Sequence, residues 1–233
     1  MKTRLNPRLV TLTSPDTFAA ERYQGLRLKL EQMRQNGALK VIAVTSPGAG
    51  DGKTLTSINL AGVLARESDA RVLLIDADLR RSSVSTELGI TPGSPGFADL
   101  MAGSKKQLAD VIKRPESCRF DVLPAGSSSY PIQKLFRSPQ FAQVLAAARE
   151  GYDYVLLDTP PLVPVFDAAV LARSVDGVVV VVAAEKTPRK LLAAALDLLD
   201  PSKVVGIVFN ADTSPLFGYS SSAYKPYFSS KSA

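Results

Sequence analysis

A glycine-rich segment, residues 45–54 (TSPGAGDGKT), lies between an apolar run and a helical pattern, and its residue types suit phosphate binding. Glycines let backbone N–H groups close around phosphate oxygens, and the start of the following helix adds a positive partial charge. Lys53 can reach the β- and γ-phosphates of a nucleotide, and the Thr54 hydroxyl can ligate Mg²⁺. The segment therefore predicts a phosphate-binding loop.

The match to the strict Walker A pattern is imperfect, because Pro47 stands where that pattern has glycine. The alternative is a Gly-rich turn with an incidental lysine, which the position between a strand and a helix disfavours. We expect ATP to contact eight consecutive residues of this loop: Gly48, Ala49, Gly50, Asp51, Gly52, Lys53, Thr54 and Leu55.

Carboxylates follow two other apolar runs. Asp76 and Asp78 come after Val72–Ile75, and Asp158 comes after Tyr154–Leu157. Because the carboxyl ends of strands face the ligand crevice in an open parallel sheet, we expect these side chains beside the loop. Asp158 is then placed to hold Mg²⁺ directly or through water. Either acidic run alone can be a loop or cap feature, but both together with the loop favour a nucleotide site.

Apolar, β-branched runs alternate with helical patterns through the middle of the chain, which is typical of a parallel sheet flanked by helices. The predicted strands are Val41–Thr45, Val72–Ile75, Phe120–Leu123, Tyr154–Leu157, Gly177–Val182 and Val204–Phe209. The predicted helices between them are Lys53–Glu67, Gln140–Arg149, Ala168–Arg173 and Pro188–Leu199. We expect an α/β fold of the P-loop NTPase class, with a Rossmann-like, mostly parallel sheet of about seven or eight strands.

Three sections are predicted along the 233 residues. Residues 1–35 hold an irregular arm and one amphipathic helix, Thr17–Arg34, which is a possible oligomerisation element. Residues 36–213 form the ATP-binding domain. Residues 214–233 are rich in Ser, Tyr, Lys and Pro without periodicity, so we expect a flexible tail.

Composition excludes several kinds of chemistry. The chain has no histidine and one cysteine, Cys118, so imidazole catalysis, His-ligated metals and an internal disulfide are ruled out. The net charge of +6 is spread along the sequence without a basic block, so we expect no nucleic-acid partner. Among the basic residues, Arg80 and Arg81 can neutralise phosphate charge or pair with neighbouring carboxylates, and we expect a site role only for Arg80.

Membrane insertion is not expected either. The first residues carry charges without an apolar stretch behind them, so they do not resemble a signal peptide. No apolar run approaches the ~20 residues of a membrane span. We therefore expect a cytoplasmic protein.

The motifs together resemble those of a known family. The loop at 45–54, the Asp76-x-Asp78-x-Arg80 strand end and the LLDTPP segment at 156–161 look like the three Walker-type motifs of the bacterial tyrosine kinases that govern capsule and exopolysaccharide synthesis. Intervening segments are also similar: residues 96–103 (GFADLMAG), 122–126 (VLPAG) and 135–141 (LFRSPQF). The resemblance covers roughly residues 14–212.

This resemblance implies a fold related to the partitioning ATPases, with ATP and Mg²⁺ as ligands and tyrosine as the phosphoryl acceptor. It implies that Lys53 and Thr54 bind the phosphates and Mg²⁺, and that Asp76 is the base that orients the incoming tyrosine hydroxyl. The resemblance also implies that Asp78 and Asp158 organise the metal. The predicted catalytic set is thus Lys53, Asp76, Asp78 and Asp158.

The nearest alternative is a partitioning or septum-site ATPase of the MinD and ParA type, which switches assembly without phosphorylating tyrosine. Those proteins have a signature lysine five residues before the loop lysine, where this chain has Gly48. A regulatory subunit that binds ATP without catalysis is a further alternative. Asn210 resembles the adenine-contacting Asn of the superfamily, and a buried or capping Asn is the competing interpretation.

The resemblance also assigns roles to the two ends of the chain. The tail tyrosines Tyr219, Tyr224 and Tyr227 resemble the family's autophosphorylated cluster, which implies transfer to the tail of a neighbouring subunit. In the N-terminal helix, Glu21, Gln24 and Arg27 occupy the positions of a ring-forming Glu-x-x-Arg-x-x-Arg motif. Because Gln24 replaces the central arginine, we expect a weaker or salt-sensitive homo-oligomer. The family further implies activation by a membrane-embedded polysaccharide co-polymerase, which would hold the chain peripherally at the inner face of the membrane.

Overall fold

The computed structural model describes residues 5–35, 39–67, 70–127 and 129–212. Their centre is a six-stranded sheet in which every paired strand runs parallel, in the order β3-β2-β4-β1-β5-β6. The strands are β1 (Val41–Thr45), β2 (Val72–Asp76), β3 (Asp121–Leu123), β4 (Tyr154–Asp158), β5 (Gly177–Ala183) and β6 (Val204–Asn210). The predicted α/β class and parallel sheet are confirmed.

Helices cover both faces of this sheet. They are α1 (Val10–Thr13), α2 (Phe18–Gln35), α3 (Lys53–Glu67), α4 (Val84–Leu88), α5 (Phe97–Met101), α6 (Leu108–Val111), α7 (Ile132–Leu135), α8 (Pro139–Gly151), α9 (Asp167–Ala172) and α10 (Arg189–Leu196), with a 3₁₀ turn at Pro201–Lys203. The expected seven or eight strands were too many for the described part of the chain. Each apolar, β-branched run forms one strand there, and the segment between β2 and β3 forms only short helices.

The core has two layers because strand side chains alternate between the faces of the sheet. In β1, Val41 and Ala43 point toward the side covered by α5 and α8, whereas Ile42 and Val44 point toward α3. All four are at most 1% exposed. Burial on both faces explains why the central strands are apolar throughout rather than alternating with polar residues.

The N-terminal segment packs on α3. Leu9 and Leu30 are fully buried in the same apolar layer as the inner face of that helix. Asn59 of α3 accepts a hydrogen bond from the Thr11 backbone N–H at 3.0 Å and donates to Arg8 O at 3.0 Å. The expected irregular arm therefore contains one helical turn, α1, whose backbone is tied to α3.

Strand register places the functional ends together. Asp76 is the ladder partner of Asp158 across β2 and β4, and Val44 is the partner of Asp158 across β1 and β4. The loop that follows β1 thus starts beside the carboxyl ends of both acidic strands. Among the described helices, none combines the length and apolar character of a bilayer-spanning segment.

Candidate functional site

The glycine-rich loop connects β1 to α3 and needs glycine at two positions. Gly50 has φ of +85° and Gly52 has φ of +93°, a region that side-chain-bearing residues rarely adopt. A Cβ at Gly52 would also lie 1.9 Å from Asn210 Nδ2. A close approach from another element therefore adds to the conformational demand at this position.

Asp51 supports the loop from inside. Its Oδ2 accepts a hydrogen bond from Gly48 N at 3.1 Å, and its Oδ1 accepts one from Thr187 Oγ1 at 2.8 Å. Asn210 Nδ2 donates to the Asp51 carbonyl oxygen at 2.9 Å. The buried side chain of Asp51 thus ties the loop to the segment that follows β5, and its backbone carbonyl ties the loop to the end of β6.

Lys53 and the acidic strand ends form one cluster, as the sequence predicted. Lys53 Nζ lies 2.8 Å from Asp78 Oδ2 and 3.8 Å from Asp158 Oδ2. Thr54 Oγ1 donates to Asp158 Oδ2 at 2.7 Å. Burial opposes the charge on Lys53, but the nearby carboxylates of Asp158 and Asp78 outweigh it and raise the pKa of the ammonium. Lys53 therefore stays charged, and the carboxylates beside it neutralise that charge.

Asp76 lies beside this cluster and differs from its neighbours in its hydrogen bonds. Its Oδ2 accepts from Val84 N at 3.1 Å, whereas its buried Oδ1 has no hydrogen-bond partner among the described residues. Burial, reinforced by the charge of Asp158, raises the pKa of Asp76 to about 7, against the smaller opposing effects of Val84 N–H and Lys53. A carboxylate with a free oxygen and a pKa near neutrality can take a proton from a hydroxyl.

Arg80 pairs with a carboxylate in this structure. Its guanidinium bonds to Asp167 at the start of α9, through Nε and through Nη2 at 3.4 Å. Arg81 contributes its backbone N–H, which donates to Asp78 Oδ1 at 3.0 Å. Of the two roles considered for Arg80, pairing is the one present, and a phosphate contact stays a prediction.

The oxygen atoms in the cluster fit Mg²⁺. Thr54 Oγ1, the Asp158 carboxylate and the Asp78 carboxylate are hard oxygen donors, and Asp76 adds an orphaned buried oxygen. The described residues contain no group of three or more His, Cys, Asp or Glu arranged to hold a metal alone. At nucleotide sites Mg²⁺ is usually held by one or two carboxylates, and substrate phosphates and water complete the shell.

Several polar residues of the site were missed by the sequence reasoning. Ser57 Oγ lies 3.2 Å from Asp158 Oδ1, and Ser83 Oγ lies 3.1 Å from Thr54 Oγ1. The Lys186 ammonium lies 3.4 Å from the point that a Cβ on Gly50 would occupy. Ser57 stands one helical turn after Lys53, so its spacing was a usable signal. Ser83 and Lys186 have no comparable signal, because tertiary packing brings them to the loop.

The other predicted residues lie away from this cluster or outside the described chain. On α2, Glu21 is exposed, and Arg27 is held within its own helix by Gln24 at 2.9 Å and by Glu31 at 2.7 Å. The ring interface stays a prediction. The proposed acceptors Tyr219, Tyr224 and Tyr227 lie outside the described residues.

Comparison with known proteins identifies the family. The AAA_31 model, described as an AAA domain, matches residues 39–198. The tyrosine-protein kinase YwqD of Bacillus subtilis is 30% identical over 209 residues, which cover 89% of this chain and 87% of YwqD. The chain belongs to the bacterial tyrosine kinase family. The predicted resemblance is thus confirmed.

Other relatives of this family member are much longer. The succinoglycan biosynthesis transport protein ExoP of Rhizobium meliloti is 32% identical over 217 residues, which are 91% of this chain but 27% of ExoP. The chain therefore spans about a quarter of that relative.

Solved structures agree with the assignment. The kinase domain of the Escherichia coli tyrosine kinase ETK superposes with a TM-score of 0.82 at 29% identity, covering 94% of this chain and 87% of that one. A ParA family ATPase from Chlorobium tepidum has a TM-score of 0.62 at 20% identity, covering 76% of each chain, which shows the shared fold alone. This family member is thus a nucleotide-binding P-loop protein, and its fold is shared with a ParA family ATPase.

Proposed function

We propose that the chain is a Mg²⁺-dependent protein-tyrosine autokinase that transfers the γ-phosphoryl group of ATP to tyrosine. The observation that supports this most directly is the pairing of Asp76 with the loop cluster. A carboxylate with a free Oδ1 and a pKa of about 7 stands within electrostatic reach of Lys53, Asp78 and Asp158. An ATPase switch needs the cluster to bind nucleotide but has less need of a base for a phenol.

In the proposed reaction, Asp76 Oδ1 receives the proton of the tyrosine hydroxyl, and Val84 N–H fixes the other oxygen of that carboxylate. The new P–O bond forms to the tyrosyl oxygen as the bond between the γ-phosphorus and the β,γ-bridging oxygen breaks, so ADP leaves. Positioning and neutralisation of charge account for catalysis in such transfers, with no covalent enzyme intermediate.

Lys53 has two partners in this scheme. In the structure its ammonium lies 2.8 Å from Asp78 Oδ2. On ATP binding we expect it to turn to the β- and γ-phosphates, which releases Asp78 to the metal shell. Thr54, Asp78 and Asp158 would hold the Mg²⁺ ion. When bound, that ion neutralises developing charge on the phosphate oxygens.

The remaining parts of the proposal concern assembly. The acceptors would be Tyr219, Tyr224 and Tyr227 of a neighbouring subunit in a homo-oligomer, whose contacts include Glu21, Gln24 and Arg27. Asn210 and Arg80 would contribute to ATP binding. A membrane-embedded polysaccharide co-polymerase would activate the kinase at the inner face of the membrane, and its role would be in capsule or exopolysaccharide synthesis. The name of the relative ExoP, in succinoglycan biosynthesis, supports that last assignment.

The test is phosphotyrosine mapping by mass spectrometry after the purified chain is incubated with Mg-ATP. It is run with and without the cytosolic segment of the candidate co-polymerase, with Lys53→Ala as the control. Phosphate on any of the three tail tyrosines, absent from the Lys53 variant, is the expected result. ADP release without phosphotyrosine under either condition would contradict the kinase proposal and leave an ATPase switch.

A further inference from the structure

The turn that enters α4 contacts three side chains of the site. Arg81 N donates to Asp78 Oδ1 at 3.0 Å, and Val84 N donates to Asp76 Oδ2 at 3.1 Å. Between them, Ser83 Oγ donates to Thr54 Oγ1 at 3.1 Å. Two of these contacts come from the backbone and survive most substitutions. The third depends on the identity of one side chain.

The hydroxyl of Ser83 is not used for the role that its position suggests. Ser83 is the N-cap residue of α4, where serine ordinarily accepts a hydrogen bond from a backbone N–H of the first helical turn. No such side-chain cap bond is formed here. The hydroxyl is directed across 29 residues of sequence to the loop threonine instead. A local role in capping α4 therefore does not account for the direction of the Ser83 hydroxyl.

The geometry at Thr54 shows what this contact does. A threonine hydroxyl has one proton and two lone pairs. Its proton is given to Asp158 Oδ2 at 2.7 Å, and one lone pair accepts from Ser83. The other lone pair accepts from Lys53 Nζ at a longer distance, 3.4 Å. The bonds to Asp158 and Ser83 therefore fix the rotamer of Thr54, and the lone pair that faces Lys53 is the one that a cation would use. Metal-ligating groups are commonly oriented by such outer hydrogen bonds.

We propose that Ser83 is a positioning residue that orients the Thr54 hydroxyl toward the divalent cation and so sets the cation affinity of the site. The proposal rests on the Mg²⁺ site of the proposed function. It assigns to Ser83 no contact with ATP and none with the acceptor tyrosine.

The test compares Ser83→Ala with the matched control Ser82→Ala, whose side chain is exposed at the neighbouring position. Binding of a fluorescent ATP analogue to the full chain is titrated with Mg²⁺ and, separately, measured in EDTA. We expect Ser83→Ala to raise the half-saturating Mg²⁺ concentration about tenfold, with the metal-free affinity unchanged. Ser83→Thr, which keeps a hydroxyl, should restore most of the Mg²⁺ response, and the control should match the unsubstituted chain.

Three outcomes would overturn the assignment of Ser83 while leaving the proposed metal site in place. An unchanged Mg²⁺ response in Ser83→Ala would show that Thr54 needs no outer partner. Equal losses of metal-dependent and metal-free affinity would indicate a structural role for the turn. A Ser83→Thr variant with a Mg²⁺ response as weak as that of Ser83→Ala would show that the hydroxyl is not the group responsible. If the unsubstituted chain binds the analogue without any Mg²⁺ dependence, the metal site of the proposed function fails and the Ser83 proposal fails with it.

Discussion

Replacing Asp76 with asparagine should make the nucleotide-free protein more stable at alkaline pH while it removes phosphoryl transfer. The Asp76 side chain is fully buried beside Asp158, and only its Oδ2 has a hydrogen-bond donor. An asparagine side chain has nearly the same shape, and its carbonyl oxygen can keep the bond from Val84 N–H. What the substitution removes is a buried charge whose ionisation the fold opposes.

The size of the effect follows from the pKa. Burial raises the pKa of Asp76 from 3.8 to about 7, so the folded protein holds this proton more tightly than the unfolded chain. Stability is therefore lost as pH rises between these values, and the loss is complete above the folded pKa. The difference corresponds to an upper limit of about 4 kcal/mol, which relaxation around the carboxylate reduces to roughly 2–4 kcal/mol. The Asn variant has no ionisable carboxyl at this position, so its free energy of unfolding does not fall in this way as pH rises.

Urea unfolding from pH 5 to pH 8 in EDTA measures the difference directly. We expect the Asn variant to exceed the unsubstituted protein by about 1–2 kcal/mol at pH 5, where the unfolded carboxyl is already mostly ionised, and by roughly 2–4 kcal/mol at pH 8. Asp16→Asn is the control, since its side chain is 87% exposed, and it should show no such trend. Transfer to tyrosine by the Asp76 variant should fall by at least about 100-fold. A gain that is the same at both pH values, or a variant less stable than the original at pH 8, would refute the reasoning.

Two further predictions concern the loop. Gly52→Ala should abolish ATP-analogue binding, because its Cβ would collide with Asn210 Nδ2, whereas Gly103→Ala, with a similar φ of +85° and open space, should bind normally. Equal binding by both variants would contradict the close-approach argument. Thr187→Val should lose its bond to Asp51 Oδ1, which lowers the unfolding free energy by about 1–3 kcal/mol and weakens binding of the ATP analogue. Calorimetry measures the first effect and a binding titration the second. An unchanged affinity would show that the Thr187–Asp51 bond does not support the loop.

The elements of the fold were predictable because their signals are local. The run at Val41–Thr45 and the helix at Lys53–Glu67 have the predicted bounds, since apolar runs, glycines and helical spacing act over a few residues. Helix α10 is shorter than predicted and ends at Leu196, because periodicity does not reveal where a C-terminal turn departs from helix. The expected count of seven or eight strands exceeded the six apolar runs that the sequence shows, and the described residues form only those six strands.

Contacts within the site were predictable only in part. The carboxyl ends of parallel strands meet at one edge, so the grouping of Asp76 and Asp158 near Lys53 follows from topology. The pairing of Arg80 with Asp167 joins residues 87 positions apart, and the bond from Asn210 to Asp51 joins residues 159 apart. No local pattern records such pairings, because they depend on how loops from different strands pack at the same edge.

The charge balance of the site links nucleotide binding to cation binding. Three buried carboxylates, Asp76, Asp78 and Asp158, face a single ammonium, that of Lys53, within the described cluster. An added triphosphate would compete with Asp78 for that ammonium and leave more negative charge in a poorly solvated space, which is costly. A divalent cation between the carboxylates and the phosphates removes this cost. We therefore expect ATP and a divalent cation to bind to this site together, with the Lys53 ammonium shared between Asp78 and the phosphates.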